Sequence, residues 1–155
     1  MYSAVLTKED FLNCKKIVKE RSKRVSNSLD KCNKEMLALK RECIGTNNGY
    51  SYTILEETDL LVTNLLRLQT TLEKFLDDNK EFEKRDDIVD LYFNVRTYLD
   101  IYELVDSNYV IYSDFNEKGE FYTKLFCVNP SGNIQSCMQT GIATIFFSAT
   151  LLPVN

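Results

Sequence analysis

Histidine is absent from all 155 residues, which removes the commonest general base and the commonest zinc ligand. Proline is nearly absent too. The two present are Pro130 and Pro153, so no proline interrupts a helix before position 130. No stretch approaches the roughly 18 consecutive apolar residues of a membrane span, and no signal peptide opens the chain. The expectation is a cytoplasmic protein with no membrane partner. The cysteines are few and odd in number. Cys14, Cys32 and Cys43 fall within one predicted helix, where a rise of about 1.5 Å per residue puts Cys14 and Cys32 roughly 27 Å apart. That is too far for a shared metal or a disulfide. Cys127 and Cys137 stand apart as well. Reduced thiols packed in a core are the expected state, and no metal-binding residue is expected.

What the chain has is an apolar fraction of 44%. At this length that buries the core of one domain and argues against disorder. The net charge of −4 conceals a split. Residues 1–45 carry 11 Lys/Arg against 6 Asp/Glu, residues 46–107 carry 6 against 14, and residues 108–155 carry 2 against 3. A basic arm precedes an acidic middle.

Thr7-Lys-Glu-Asp10 has the make-up of a helix start, with a hydroxyl cap and acids in the first turn. Phe11, Cys14, Val18, Val25, Leu29, Cys32, Met36, Leu39 and Cys43 then follow at steps of three, four and seven, broken once at Arg21. Ser26-Asn27-Ser28 is the one weak point, and Gly45-Thr-Asn-Asn-Gly49 ends the helix. Thr53 and Glu56 fit a capping box that opens a second helix, whose broad stripe runs from Ile54 to Phe75. A charged connection to Asp87 leads to a third helix burying Ile88, Tyr92, Val95, Leu99, Tyr102 and Val105. Short links between long helices imply antiparallel neighbours.

Beyond Ser107 the character changes. Residues 109–115 and 121–128 are rich in β-branched and aromatic residues, and Asn116-Glu-Lys-Gly119 joins them as a β-hairpin. A short helix around 131–139 ends at Gly141, and Ile145-Phe146-Phe147 forms a closing strand. The expected fold is mainly α: an antiparallel bundle of three long helices over 1–107, then a hairpin, a short helix and one C-terminal strand over 108–155. The tyrosines and phenylalanines suit core and hairpin packing better than base stacking. The acids between Asp77 and Asp87 read as a solvated loop without metal-ligand spacing, which would repel DNA from that end of the bundle.

Two motifs remain. Lys15, Lys16, Lys19, Arg21, Lys23 and Arg24 make a basic run. At 100° per residue Lys16, Lys19 and Lys23 share a face, with Arg21 and Arg24 on the other flank. The run suits either the solvated face of a coiled-coil-like helix or a stripe that contacts phosphates. At the far end, the apolar run into Ser148-Ala149-Thr150 delivers hydroxyls to a strand edge, as in a parallel nucleotide-hydrolase sheet. By itself the same run also fits a buried strand whose hydroxyls satisfy local backbone groups.

The string Phe146-Phe147-Ser148-Ala149-Thr150-Leu151-Leu152-Pro153 resembles helicase motif III of the DinG/XPD-type superfamily-two DNA helicases, and Asn129-Pro130-Ser131 through Gly141 is similar to that family's approach to it. The resemblance implies a fragment of an ATP-dependent DNA helicase of repair or recombination. Residues 1–107 would be the Arch-like insertion that helps enclose single-stranded DNA, and the remainder would belong to the first motor domain. It puts forward Ser148, Ala149 and Thr150 as residues that couple hydrolysis to the DNA cleft rather than perform chemistry. It makes Lys15, Lys16, Lys19, Arg21, Lys23 and Arg24 the DNA-contacting set. The sequence has no Gly-x-x-x-x-Gly-Lys-Ser/Thr loop, no Asp-Glu-Ala-His box and no arginine-bearing motif VI. ATP and magnesium therefore belong to the parent protein alone, any iron–sulfur cluster lies elsewhere in it, and this stretch by itself is expected to be inactive. Its partners would be single-stranded DNA and the remaining motor domains, with self-association open to the unpaired strand or helices. The reading from another class is a non-catalytic helical module for protein–protein interaction.

Overall fold

The computed structural model describes residues 2–46, 52–56 and 58–141. Nine elements follow in order: β1 (Ala4–Thr7), α1 (Lys8–Val18), α2 (Lys23–Thr46), β2 (Thr53–Ile54), α3 (Asp59–Asp78), α4 (Arg85–Tyr102), β3 (Tyr109–Phe115), β4 (Phe121–Cys127) and α5 (Ser131–Thr140). The fold is mainly helical, with a four-stranded antiparallel sheet of order β1-β4-β3-β2. The closing strand expected at Ile145–Phe147 lies outside the described residues.

The long first helix is two helices. The backbone turns at 19–22, where Arg21 N and Ser22 N both donate to the Val18 carbonyl. Ser22 then caps α2, its Oγ accepting from Val25 N at 3.3 Å. A serine three residues ahead of that amide satisfies one of the donors that a new helix leaves open. The chain doubles back there, and Lys15 on α1 pairs with Asp30 on α2. Cys14 and Cys32 therefore sit in one core rather than at two distant points of a rod. Ser26–Ser28, the expected weak point, lies within the regular helix α2. Thr7 does precede α1, but its side chain makes no capping bond.

The second correction concerns Thr53 and Ile54. They pair with Ser113 and Tyr112 as strand β2, and α3 begins only at Asp59. Four helices, not three, form the bundle. Each packs on the next, and α4 closes back on α1. The Tyr102 hydroxyl donates to Asp59 Oδ1 at 2.9 Å, tying the end of α4 to the start of α3 and fixing that pair as antiparallel. Their buried faces are Leu61, Leu65, Leu68, Leu72 and Phe75 on α3, and Ile88, Leu91, Val95, Tyr98 and Leu99 on α4. α4 begins at Arg85, so Asp86 and Asp87 occupy its first turn, where carboxylates favour the helix dipole. Lys84 immediately before it holds φ 61°, ψ 29°, the left-handed region.

The hairpin stands where the sequence places it. Asn116 Oδ1 accepts from Lys118 N and Glu120 N, both at 2.9 Å, and Gly119 takes the φ of +75° that closing the turn requires. β1 adds to one side of it, pairing Ala4 with Leu125 and Leu6 with Thr123, and β2 adds to the other. Strands from before and after position 107 thus share one sheet, whose inner face (Ala4, Leu6, Phe121 and Leu125) belongs to the same buried cluster as the helices. Tyr98 of α4 reaches into that face, its hydroxyl 3.5 Å from Thr123 Oγ1. Burial pushes the Tyr98 phenol up to about 12, although the Thr123 hydroxyl works the other way. α5 buries no residue. It is held by Asn133 Nδ2, which donates to the Tyr109 hydroxyl at 3.1 Å, and by a 3.1 Å contact between the Tyr2 hydroxyl and Cys137 Sγ.

Candidate functional site

The basic run of the first 24 residues splits across the α1–α2 turn. Lys15 and Lys16 lie in the last turn of α1, Lys19 and Arg21 in the connection, and Lys23 and Arg24 open α2. Lys16, Lys19 and Lys23 consequently do not share one helical face, because no single helix carries them. All of the six except Lys15 are exposed. Lys15 is engaged by Asp30, and Arg21 lies over the Phe82 ring with its guanidinium carbon 5.3 Å from the centroid. The set is a basic corner, not a stripe. Ser148, Ala149 and Thr150 lie outside the described residues.

The corner opens onto a cleft of about 630 Å³ between α1 and α4. Arg21 rests on Phe82 at one end, and further along Cys14 Sγ donates to the Asp87 carbonyl at 3.4 Å. α1 therefore runs antiparallel to α4. The floor is Cys14, Ile17 and Leu91; Lys16, Arg21, Lys84 and Glu83 stand toward one end, and Asp10, Asn13, Asp90 and Asn94 toward the other, with Asp87 between. The spacing explains the convergence. Asp10, Asn13, Cys14 and Ile17 fall at i, i+3, i+4 and i+7 on α1, and Asp87, Asp90, Leu91 and Asn94 do the same on α4. Each helix thus offers an apolar floor residue with polar rims.

Electrostatically the cleft is split rather than neutral. None of Lys16, Arg21 and Lys84 forms an ion pair among the described residues, whose pairs are Lys15–Asp30 and Arg96–Asp100. Half-burial raises the Asp10 carboxyl above its ordinary range, and the nearby Glu120 and Glu9 push it the same way. Cys14 on the floor is pushed up to about 12 by burial and by Asp10, Asp87 and Asp90, so it is a packing thiol and not a nucleophile. Burial does the same for Cys32. The described residues contain no group of three or more Cys, Asp or Glu arranged to hold a metal ion.

Lys84 and Asp87 escape the sequence reading because the acidic 77–87 stretch reads as a loop, and Asp90 because it reads as an ordinary polar position of the third helix. The signal available was the i, i+3, i+4, i+7 repeat of polar residues about Leu91. The tyrosines divide by face: Tyr98 and Tyr109 are buried, whereas Tyr112 and Tyr122 meet edge to face with centroids 6.2 Å apart. Among the described residues no helix is long and apolar enough to cross a membrane. The chain matches no protein-family model, and no curated protein is significantly similar to it.

Proposed function

We propose that the chain is part of an ATP-dependent DNA helicase of the DinG/XPD type, its helices an Arch-like element that shapes the single-strand path and its tail the carrier of motif III. The observation behind this reading is the string Phe146–Pro153, an apolar run leading into Ser148-Ala149-Thr150 and a proline. Hydroxyls suit a coupling role because each donates and accepts, and so can change partners as the γ-phosphate leaves. Exposure of Lys16, Lys19, Arg21, Lys23 and Arg24 around one turn supports the DNA part. Accessible positive charge is what sequence-independent phosphate contact requires.

The phosphate-binding parts of the engine are supplied by the rest of the parent, and ATP and magnesium go with them. Two measurements test the assignment. In the intact parent, Ser148→Ala with Thr150→Ala is expected to leave ATP hydrolysis running while unwinding per ATP falls; normal unwinding per ATP would remove the coupling role. The chain alone is expected to bind single-stranded DNA in a salt-sensitive way and to hydrolyse no ATP, so ATPase activity in the chain alone would overturn the assignment.

A further inference from the structure

We infer that the α1–α4 cleft is a nucleotide site, taking a phosphate at its basic end and an amino-bearing base at its carboxylate end. This rests on the reading of the chain as a single-strand-binding element, and it adds a base preference that a phosphate-contacting corner does not have.

Three observations carry it. The cleft's volume of about 630 Å³ falls within the roughly 300–1,000 Å³ of small-molecule sites. Its opposite charges are segregated along its length instead of cancelling, since Lys16, Arg21 and Lys84 make no ion pair with its acids. Even with Glu83 among them, the three cations leave that end net positive. The other end offers the acceptors Asp10 and Asp90 beside the amides of Asn13 and Asn94, with Asp87 adjoining them midway along the cleft. A carboxylate accepts from an exocyclic amine such as cytosine N4, whereas the one base donor of thymine, N3–H, lies between two carbonyls that paired carboxylates repel. The ligand chemistry is therefore a phosphoester joined to a base with an exocyclic amine, and thymine is disfavoured. The floor of Cys14, Ile17 and Leu91 gives the sugar or base an apolar surface. Such chemistry comes from one nucleotide of a single strand or from a free nucleotide.

The test is fluorescence anisotropy of the chain with labelled oligo-dC and oligo-dT at one salt concentration, with dCMP and dTMP as competitors. Oligo-dC is expected to bind about tenfold more tightly, a preference of about 1.4 kcal/mol that lies within the range for one well-made base contact. Asp87→Asn with Asp90→Asn is expected to abolish the preference without weakening oligo-dT, because an amide both donates and accepts. Lys84→Gln is expected to weaken both strands alike. These side chains are exposed, so unchanged circular dichroism and melting would show that the variants fold. Displacement of oligo-dC by dCMP but not by dTMP supports the site. Binding of dCMP without any strand binding assigns the site to a free nucleotide and removes the single-strand reading. Equal affinity for oligo-dC and oligo-dT overturns the base site while leaving the phosphate-contacting corner standing. Absence of binding to every ligand overturns both.

Discussion

Ser22 and Asp10 show how much a single side chain decides in this fold. Ser22 occupies the position where α1 stops and α2 starts, and its hydroxyl holds the third amide of α2. Ser22→Ala is expected to lower stability by about 1 kcal/mol, read as a shift in urea midpoint at constant slope. A threonine there should restore most of the loss. Asp10 works in the opposite sense. Its folded pKa is raised above the ordinary 3.8 by burial, Glu120 and Glu9, so the folded protein holds that proton more tightly than the unfolded chain does. The resulting stability is present below the unfolded pKa and is lost as pH rises through the raised value. Asp10→Asn cannot ionise. It should be more stable than the native chain at neutral pH, with the difference shrinking toward about pH 3. Urea titrations at both pH values check the sign, and a constant difference would contradict the cause. Thiol reactivity separates by the same logic. Cys137 is exposed, whereas Cys14 and Cys32 are buried with thiols near 12. A small aromatic disulfide reagent should therefore modify Cys137 in the folded protein and reach Cys14 and Cys32 only on unfolding.

At the scale of elements, legibility followed the length of chain over which a signal acts. The hairpin was readable because Asn116 and Gly119 complete a local turn between two aromatic, β-branched runs. α4 and the body of α3 were readable because their apolar periodicity persists for several turns. The α1–α2 break left a trace, the missing apolar position at Arg21, yet the step of seven from Val18 to Val25 keeps the period across it. The seam is continuous in sequence because the two helices bury corresponding faces in the same core. β1 and β2 left almost no trace. They have four and two residues, too few for a period, and they exist only by pairing with β4 and β3 far along the chain. α5 was readable as a helix from its turn and from Gly141, but its lack of any buried residue was not. Because it buries nothing and, among the described residues, is held by two side-chain contacts, its opening free energy should be a small fraction of the global value. Amide hydrogen exchange is expected to be fast throughout α5 and slowest in the middle of α3, around Leu65 and Leu68. Comparable protection in the two helices would mean that α5 is docked more firmly than its exposure implies.

For the molecule as a whole, the division of charge along the sequence becomes a division in space, though not the expected one. The basic arm and the acidic middle do not lie at opposite ends of the bundle. Because α4 packs against α1, residues of both segments line one cleft, which is basic at the end of Lys16, Arg21 and Lys84 and acidic at the end of Asp10 and Asp90. Lys16 and Arg21 were legible as members of a basic run; their relation to Lys84, Asp87 and Asp90 was not, since only packing creates it. This arrangement sets what salt should do. If Lys16, Lys19, Arg21, Lys23 and Arg24 each neutralise one phosphate, the logarithm of single-strand affinity should fall against the logarithm of salt with a slope of about −3.5. Reversing Lys16, Lys19 and Lys23 to Glu should flatten that slope by about 2 as well as weaken binding. Lys15→Gln should change it little, because Asp30 already engages that ammonium. A slope near zero for the native chain would mean that the acids of the cleft cancel the corner at the distance of a DNA strand, and the basic residues would then be a solvated surface.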